Sequence, residues 1–281
     1  MPEEKRLNNR RGSQAVRQRS AKPLSSGSNP LRALNKKYYS DAFKITMPQK
    51  RKELSIEETH LWYLVGLITS DGNLSPDGRH IDVTSSNYEF LLKIKDLTGI
   101  TNKIGIKYGS NREQKAFHIQ IGNKNFYEFL LSIGLVPKKS LTIEAVNVPK
   151  QFFVDFLRGL IDGDGSIRSW THPHNLREQW SLRIYSGSSK FLEWLETKTK
   201  EYFGAHGRLH RDKRVKHNYI LKFGKIAAQQ ILKNCYYKNN FSLQRKNQLA
   251  QQCVLSCAGW QKSKTVSPGL IDAGVLEWQT I

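Results

Sequence analysis

Cysteine is scarce, with three residues in a chain of 281. That excludes a disulfide-built scaffold and fits a reducing compartment. Long apolar runs are missing too. The longest, Leu61 to Ile68, is far short of the ~20 residues that a membrane-spanning helix needs. No apolar segment follows the first residues, so neither a membrane partner nor secretion is expected. No glycine-rich phosphate loop occurs, which leaves nucleotide hydrolysis without support. His172-Pro-His174 has no Cys or acid beside it to complete a zinc site. The other shortage is acid: 24 Asp and Glu stand against 45 Lys and Arg, a net charge of +21. A balance of that sign calls for an anionic partner, nucleic acid first.

The basic charge is unevenly spread. Residues 1–55 hold 14 Lys or Arg against 4 acids and read as a basic, partly flexible N-terminal arm. Within it, Leu31 to Arg51 interleaves Lys36, Lys37 and Lys44 with Tyr38, Tyr39 and Phe43. That pattern reads as a short helix packed on the body or on DNA. Arg and Ser near the start suit an organelle presequence, whereas Glu3 and Glu4 do not. Residues 258–281, with Gly259, Pro268, Gly269 and Gly274, read as an irregular tail.

An internal repeat organises what lies between. Leu64-Val-Gly-Leu-Ile-Thr-Ser-Asp-Gly72 and Leu157-Arg-Gly-Leu-Ile-Asp-Gly-Asp-Gly165 share Leu, Gly, Leu, Ile, Asp and Gly at the same places. After each comes a stretch of period two, Ile81 to Ser85 or Trp180 to Ile184, as in a half-buried strand. A helical stretch follows, Tyr88 to Leu97 or Lys190 to Tyr202, closed by Gly99 or Gly204. Then come two strand-like stretches and a last helix: Lys103–Tyr108, Ala116–Ile121 and Phe126–Ile133, or Arg208–Lys213, Asn218–Phe223 and Ile226–Cys235. The expected fold class is α+β. Two tandem αββαββα repeats, at 56–135 and 151–257, flank a linker at 136–150. Each repeat would be an antiparallel sheet covered by helices on one face, related to the other by a pseudo-two-fold axis.

The repeated motif has its own physics. Leu64, Leu67 and Ile68 share one helical face, as do Leu157, Leu160 and Ile161. Gly66 and Gly159 sit inside those helices, where Gly costs about 0.5–1 kcal/mol relative to Ala. Such a cost twice at the same place implies close helix-to-helix approach. Asp71 and Asp164 end their helices, against the macrodipole. Gly72 and Gly165 after them are expected in the left-handed conformation of a common helix stop. Helices paired about the axis would bring both carboxylates to one point, where hard cations such as Mg²⁺ would relieve their repulsion.

These two segments resemble the motif of the LAGLIDADG homing endonucleases, in the single-chain form with two motifs. Arg158 and Gly163 stand where the second motif would have Ala; the first departs at Val65, Thr69 and Ser70. The resemblance implies a site-specific endonuclease. It would make a double-strand break in a long, non-palindromic DNA site by metal-dependent hydrolysis. Asp71 and Asp164 would hold two or three Mg²⁺ ions at the axis with the backbone carbonyls of Ser70 and Gly163. It also implies a Lys near each active site, and Lys139 and Lys246 are the candidates. An RNA maturase acting on its own intron, or a cleavage-dead DNA-binding regulator, is the alternative of the same fold. A monomer, cytoplasmic with the nucleoid or organellar, is expected.

Sheet alternation then separates packing from contact, since a two-stranded ribbon fits the major groove. Ile104, Ile106, Tyr108, Phe117, Ile119 and Ile121 are expected under the helices of the first repeat, and Tyr219, Leu221 and Phe223 under those of the second. Facing DNA would be Lys103, Lys107, His118 and Gln120, and in the second repeat Asn218 and Lys222, with Arg183, Arg208 and His210 as further candidates.

Overall fold

A computed structural model describes the backbone of residues 44–46 and 53–55 and the full residues 56–108, 115–212, 215 and 217–256. The readings made for residues 1–43, for most of the basic arm and for the tail lie outside these. Strands β1 (Lys44–Thr46) and β2 (Glu53–Ser55) pair antiparallel, so the part of the Leu31–Arg51 stretch that is described is strand and not helix.

The centre of the molecule is a pair of helices, α1 (Glu58–Asp71) and α4 (Phe153–Asp164). Every residue of α1 from Leu61 to Thr69 is buried. A helix apolar all round needs cover on all sides, and the two halves of the chain supply it. After α1 come β3 (Gly72–Leu74), β4 (His80–Ser85), α2 (Tyr88–Thr98), β5 (Gly105–Tyr108), β6 (Lys115–Gly122) and α3 (Lys124–Ser132). After α4 come β7 (Gly165–Thr171), β8 (Glu178–Ser186), α5 (Ser189–Phe203), β9 (Gly207–Arg211), β10 (Tyr219–Phe223), α6 (Lys225–Cys235) and α7 (Gln244–Leu255). Both sheets are antiparallel with the same order, β3-β4-β6-β5 and β7-β8-β10-β9. The expected α+β class and the duplicated architecture are therefore present.

Three of the covering helices begin in the same way. Asn87, Asn123 and Ser188 each accept a bond from the backbone N–H three residues on, at Phe90, Phe126 and Phe191. Such caps satisfy one of the orphan donors of a first turn. Gly99 and Gly204 close α2 and α5 in the left-handed region.

The motif glycines behave otherwise. Gly72 and Gly165 are extended (φ −90° and −79°), not left-handed, and each is the first residue of a strand. Their reason is steric. A Cβ on Gly72 would meet Ile68 Cα at 2.6 Å, and one on Gly165 would meet Ile161 O at 2.5 Å. The chain thus leaves the helix so sharply that only Gly fits, and the strand that follows starts directly at the site.

Two expectations about the first sheet need correction. Ile106 and Tyr108 share a face with the packed residues by register, but they are 48% and 58% exposed. β5 is the edge strand, and no described element covers them. Phe117 is only partly buried, edge-on to Tyr88. Ile119, Ile121, Leu221 and Phe223 are in the core, and Ile104 and Tyr219 pack against it partly buried.

Candidate active site and nucleic-acid interface

The two central helices meet at their glycines. A Cβ on Gly66 would lie 2.0 Å from Phe156 O of α4, and one on Gly159 would lie 2.0 Å from Tyr63 O of α1. Each glycine thus packs directly on the facing backbone, and the two contacts are reciprocal, as a pseudo-two-fold rotation requires. The approach continues to the helix ends. A Cβ on Gly163 would meet Ser70 Oγ at 1.9 Å and Asp71 Oδ2 at 3.2 Å. Ser70 fills the space that Gly163 leaves, with its hydroxyl donating to Leu67 O at 3.0 Å.

Asp71 and Asp164 therefore converge in one recess at the ends of α1 and α4. The recess is lined by protein on most sides but open to solvent, since Asp71 retains exposed surface and Asp164 some. Desolvation there pushes the Asp71 carboxyl up to about 6, with the Asp164 charge adding to it. Desolvation raises Asp164 as well. Both lysines expected near the site are brought to it. Lys139 and Lys246 are each 5% exposed, and burial brings both ammonium groups down to about 8.

The two lysines are used differently. Lys139, in a 3₁₀ turn at Lys139–Leu141, donates to Gly72 O. Lys246, in the first turn of α7, donates to Ile161 O at 2.7 Å, Asp162 O at 2.6 Å and Gly163 O at 2.8 Å. An ammonium has three protons, so Lys246 is fully committed to the end of α4, where a cation also meets the negative end of the helix dipole. The Gly163 carbonyl, expected to face a metal, already accepts from it.

A second buried cluster was not foreseen from sequence. Asp162 is buried and accepts from Tyr63 Oη, Tyr236 Oη and Leu243 N, each at 2.7 Å. Burial raises its carboxyl while the three donors hold it down. Arg158, fully buried, pairs with Asp155 at 2.8 Å, donates to Cys235 O and Phe241 O at 3.0 Å, and lies against the rings of Tyr63 and Tyr237. In the first repeat their places are held by Thr69 and Val65. The only signal in the sequence is a pair of charged residues inside an apolar run, with Asp155 three positions before Arg158.

The outer faces of the sheets carry the candidate DNA contacts. In the second sheet, register aligns Ser166, Arg183, Lys222 and Arg208 in one row across the four strands. Like charges side by side are destabilising in a bare sheet, and among the residues of these four strands no acid shares this face. The buried Nε of Arg183 has no hydrogen-bond partner among the described residues. Lys222 Nζ stands 6.0 Å from the ring of Trp170 on the same face, and His210 is exposed beside Arg208. Asn218 lies just before β10 and Lys103 just before β5, each outside its strand. In the first sheet Gln120 is exposed, whereas Lys107 and His118 are engaged with Asp82. Among the described residues no group of three or more His, Cys, Asp or Glu side chains could hold a metal ion, and no helix is long and apolar enough to cross a membrane.

Residues 58–134 match the model of the LAGLIDADG-like domain family. Among solved structures, the LAGLIDADG homing endonuclease I-GzeII in complex with its DNA target is similar with a TM-score of 0.50 at 13% identity, over 76% of this chain and 94% of that one. The homing endonuclease I-WcaI, bound to its DNA recognition sequence, also gives 0.50, at 11% identity over 81% and 95%. Full-length DUF199/WhiA from Thermatoga maritima gives 0.47 at 17% identity over 75% of this chain, which spans 62% of its length. No curated protein matches in sequence. Residues 58–134 are thus a LAGLIDADG-like domain, and the two described repeats together have the fold of LAGLIDADG homing endonucleases.

Proposed function

We propose that this protein is a site-specific DNA endonuclease that hydrolyses both strands of one long, non-palindromic duplex site. The observation that carries this reading is the convergence of Asp71 and Asp164 at the ends of two helices packed glycine to backbone. Two carboxylates in one recess, at the unfavourable end of their helices, are a standing cost to a protein that only binds DNA. The cost has a use where a divalent cation and phosphate oxygens complete the site. Mg²⁺ suits the donor set, because it is commonly held by one or two carboxylates together with substrate phosphates. Asp71 and Asp164 would hold it, together with the backbone carbonyl of Ser70. When bound it would polarise the scissile phosphate and lower the pKa of an attacking water.

The chain's own groups do the rest. The outer faces of the two sheets hold the duplex, the second mainly through the Arg183, Lys222 and Arg208 row. Lys139 bonds only Gly72 O among the described residues and is placed to donate to charge developing on the phosphate. Lys246 has none to spare; it fixes the end of α4, and therefore Asp164, and acts on the phosphate by charge through space. Because the outer faces differ in sequence, the two half-sites of the target differ too.

The test is selection of cleaved duplexes from a randomised library with Mg²⁺, followed by cleavage of the selected site by Asp71→Asn and Asp164→Asn. Loss of cleavage with binding retained supports the reading. A wild-type protein that selects a duplex and never cuts it is a binding protein of the same fold.

A further inference from the structure

Among the residues of the first sheet's strands one acid, Asp82, lies on the outer face, in a row with Asn73 and Gln120. The equivalent position of the second sheet, one residue before the partner of its motif glycine, is Arg183. The two halves thus carry opposite charge at matching points of the surface proposed to meet DNA. An acid there repels phosphate, so its retention at the centre of the face needs a local reason.

The surroundings of Asp82 are built. Its carboxylate accepts from His118 Nδ1 at 2.7 Å and from Lys107 Nζ, and Lys107 also donates to Thr84 Oγ1 at 3.2 Å. The neighbouring strand makes room for the ring. A Cβ on Gly105 would lie 2.3 Å from His118 Nε2, so the imidazole lies across β5 where no side chain stands. An ionised carboxylate only accepts, so Nδ1 carries the proton, and in the neutral ring Nε2 keeps its lone pair. His118 and Lys107 remain partly exposed. The cluster therefore presents one oriented imidazole and one oriented ammonium on a single sheet face.

We propose that Asp82 is a positioning residue for base recognition: it holds His118 and Lys107 in set orientations on the first sheet, so that this half reads base edges while the second half grips largely through charge. The proposal rests on the DNA-binding reading above. Nε2 fits the exocyclic amino group of adenine or cytosine in the major groove, and Lys107 fits guanine O6 or N7.

Full-length protein with Asp82→Ala, and separately with Gly105→Ala, is carried through selection from a random duplex library at fixed salt. Gly105→Ala displaces the His118 ring and leaves every charge in place, so it separates orientation from electrostatics. The expected result is that both variants lose preference at the same one to three adjacent base pairs, by the ~5–150-fold that one good contact contributes. Preference elsewhere in the site stays unchanged. Asp82→Ala also binds unrelated duplex more tightly, whereas Gly105→Ala does not. An equal change at every position, or selection indistinguishable from wild type, overturns the proposal and leaves the DNA-binding reading standing. A wild-type protein that selects no sequence overturns both.

Discussion

At the scale of residues, the recess holds more charge than it can shelter. Asp71 takes its proton near pH 6 in the fold against an ordinary 3.8. A carboxyl raised in this way makes the fold more stable when protonated: below about pH 4 it is neutral in both states, and above about pH 6 the folded protein bears the full cost of its charge. Metal-free Asp71→Asn should therefore melt a few degrees higher than wild type at pH 7–8, and the gain should vanish below about pH 4. Thermal melts across pH measure this, and a gain independent of pH would contradict it. The lysines should separate as well. Lys246→Met removes three bonds from the end of α4 and should lower stability by about 1–3 kcal/mol and slow cleavage of both strands. Lys139→Met should leave stability closer to wild type and slow one strand more than the other. Denaturant melts and strand-resolved cleavage of an end-labelled duplex distinguish them.

At the scale of elements, the central helices depend on contact that admits no side chain. Gly66→Ala or Gly159→Ala would drive a methyl group into a carbonyl oxygen of the facing helix, a backbone clash that rotamer change cannot relieve. A loss of at least ~1–3 kcal/mol is expected, as for other overpacked cores, together with loss of cleavage, because the two carboxylates separate. Most of this framework was legible in the sequence. The repeated motif gave away the pairing of α1 with α4, and period-two stretches and closing glycines marked β4, β8, α2 and α5. Other elements were not legible, for physical reasons. β3 and β7 begin within the motif itself, at glycines whose extended backbone looks like a helix stop until the helix they leave is in view. α7 presents Lys246, Ala250 and Cys253 inward, a stripe too polar to register as an apolar face. The Asp162 and Arg158 clusters join residues some 80 positions apart, which only tertiary structure brings together.

At the scale of the whole molecule, a net charge of +21 and two sheet faces of unequal charge describe a protein that meets one duplex asymmetrically. If some 6–10 phosphates are neutralised, affinity should fall roughly 10³–10⁵-fold between 50 and 200 mM salt. Titration of the selected site by fluorescence anisotropy checks this, and a flat response would remove the electrostatic part of the account. Its central claim is that Asp71 and Asp164 serve one shared centre between the two halves. The most direct measurement is strand-resolved cleavage of the selected duplex with Mg²⁺ by wild type, Asp71→Asn, Asp164→Asn and the double variant, with binding measured alongside. The account predicts that each single variant loses ~10²-fold or more in cutting, an electrostatic loss of the usual size, while all four bind alike. Cleavage of both strands at the wild-type rate by either single variant would contradict it.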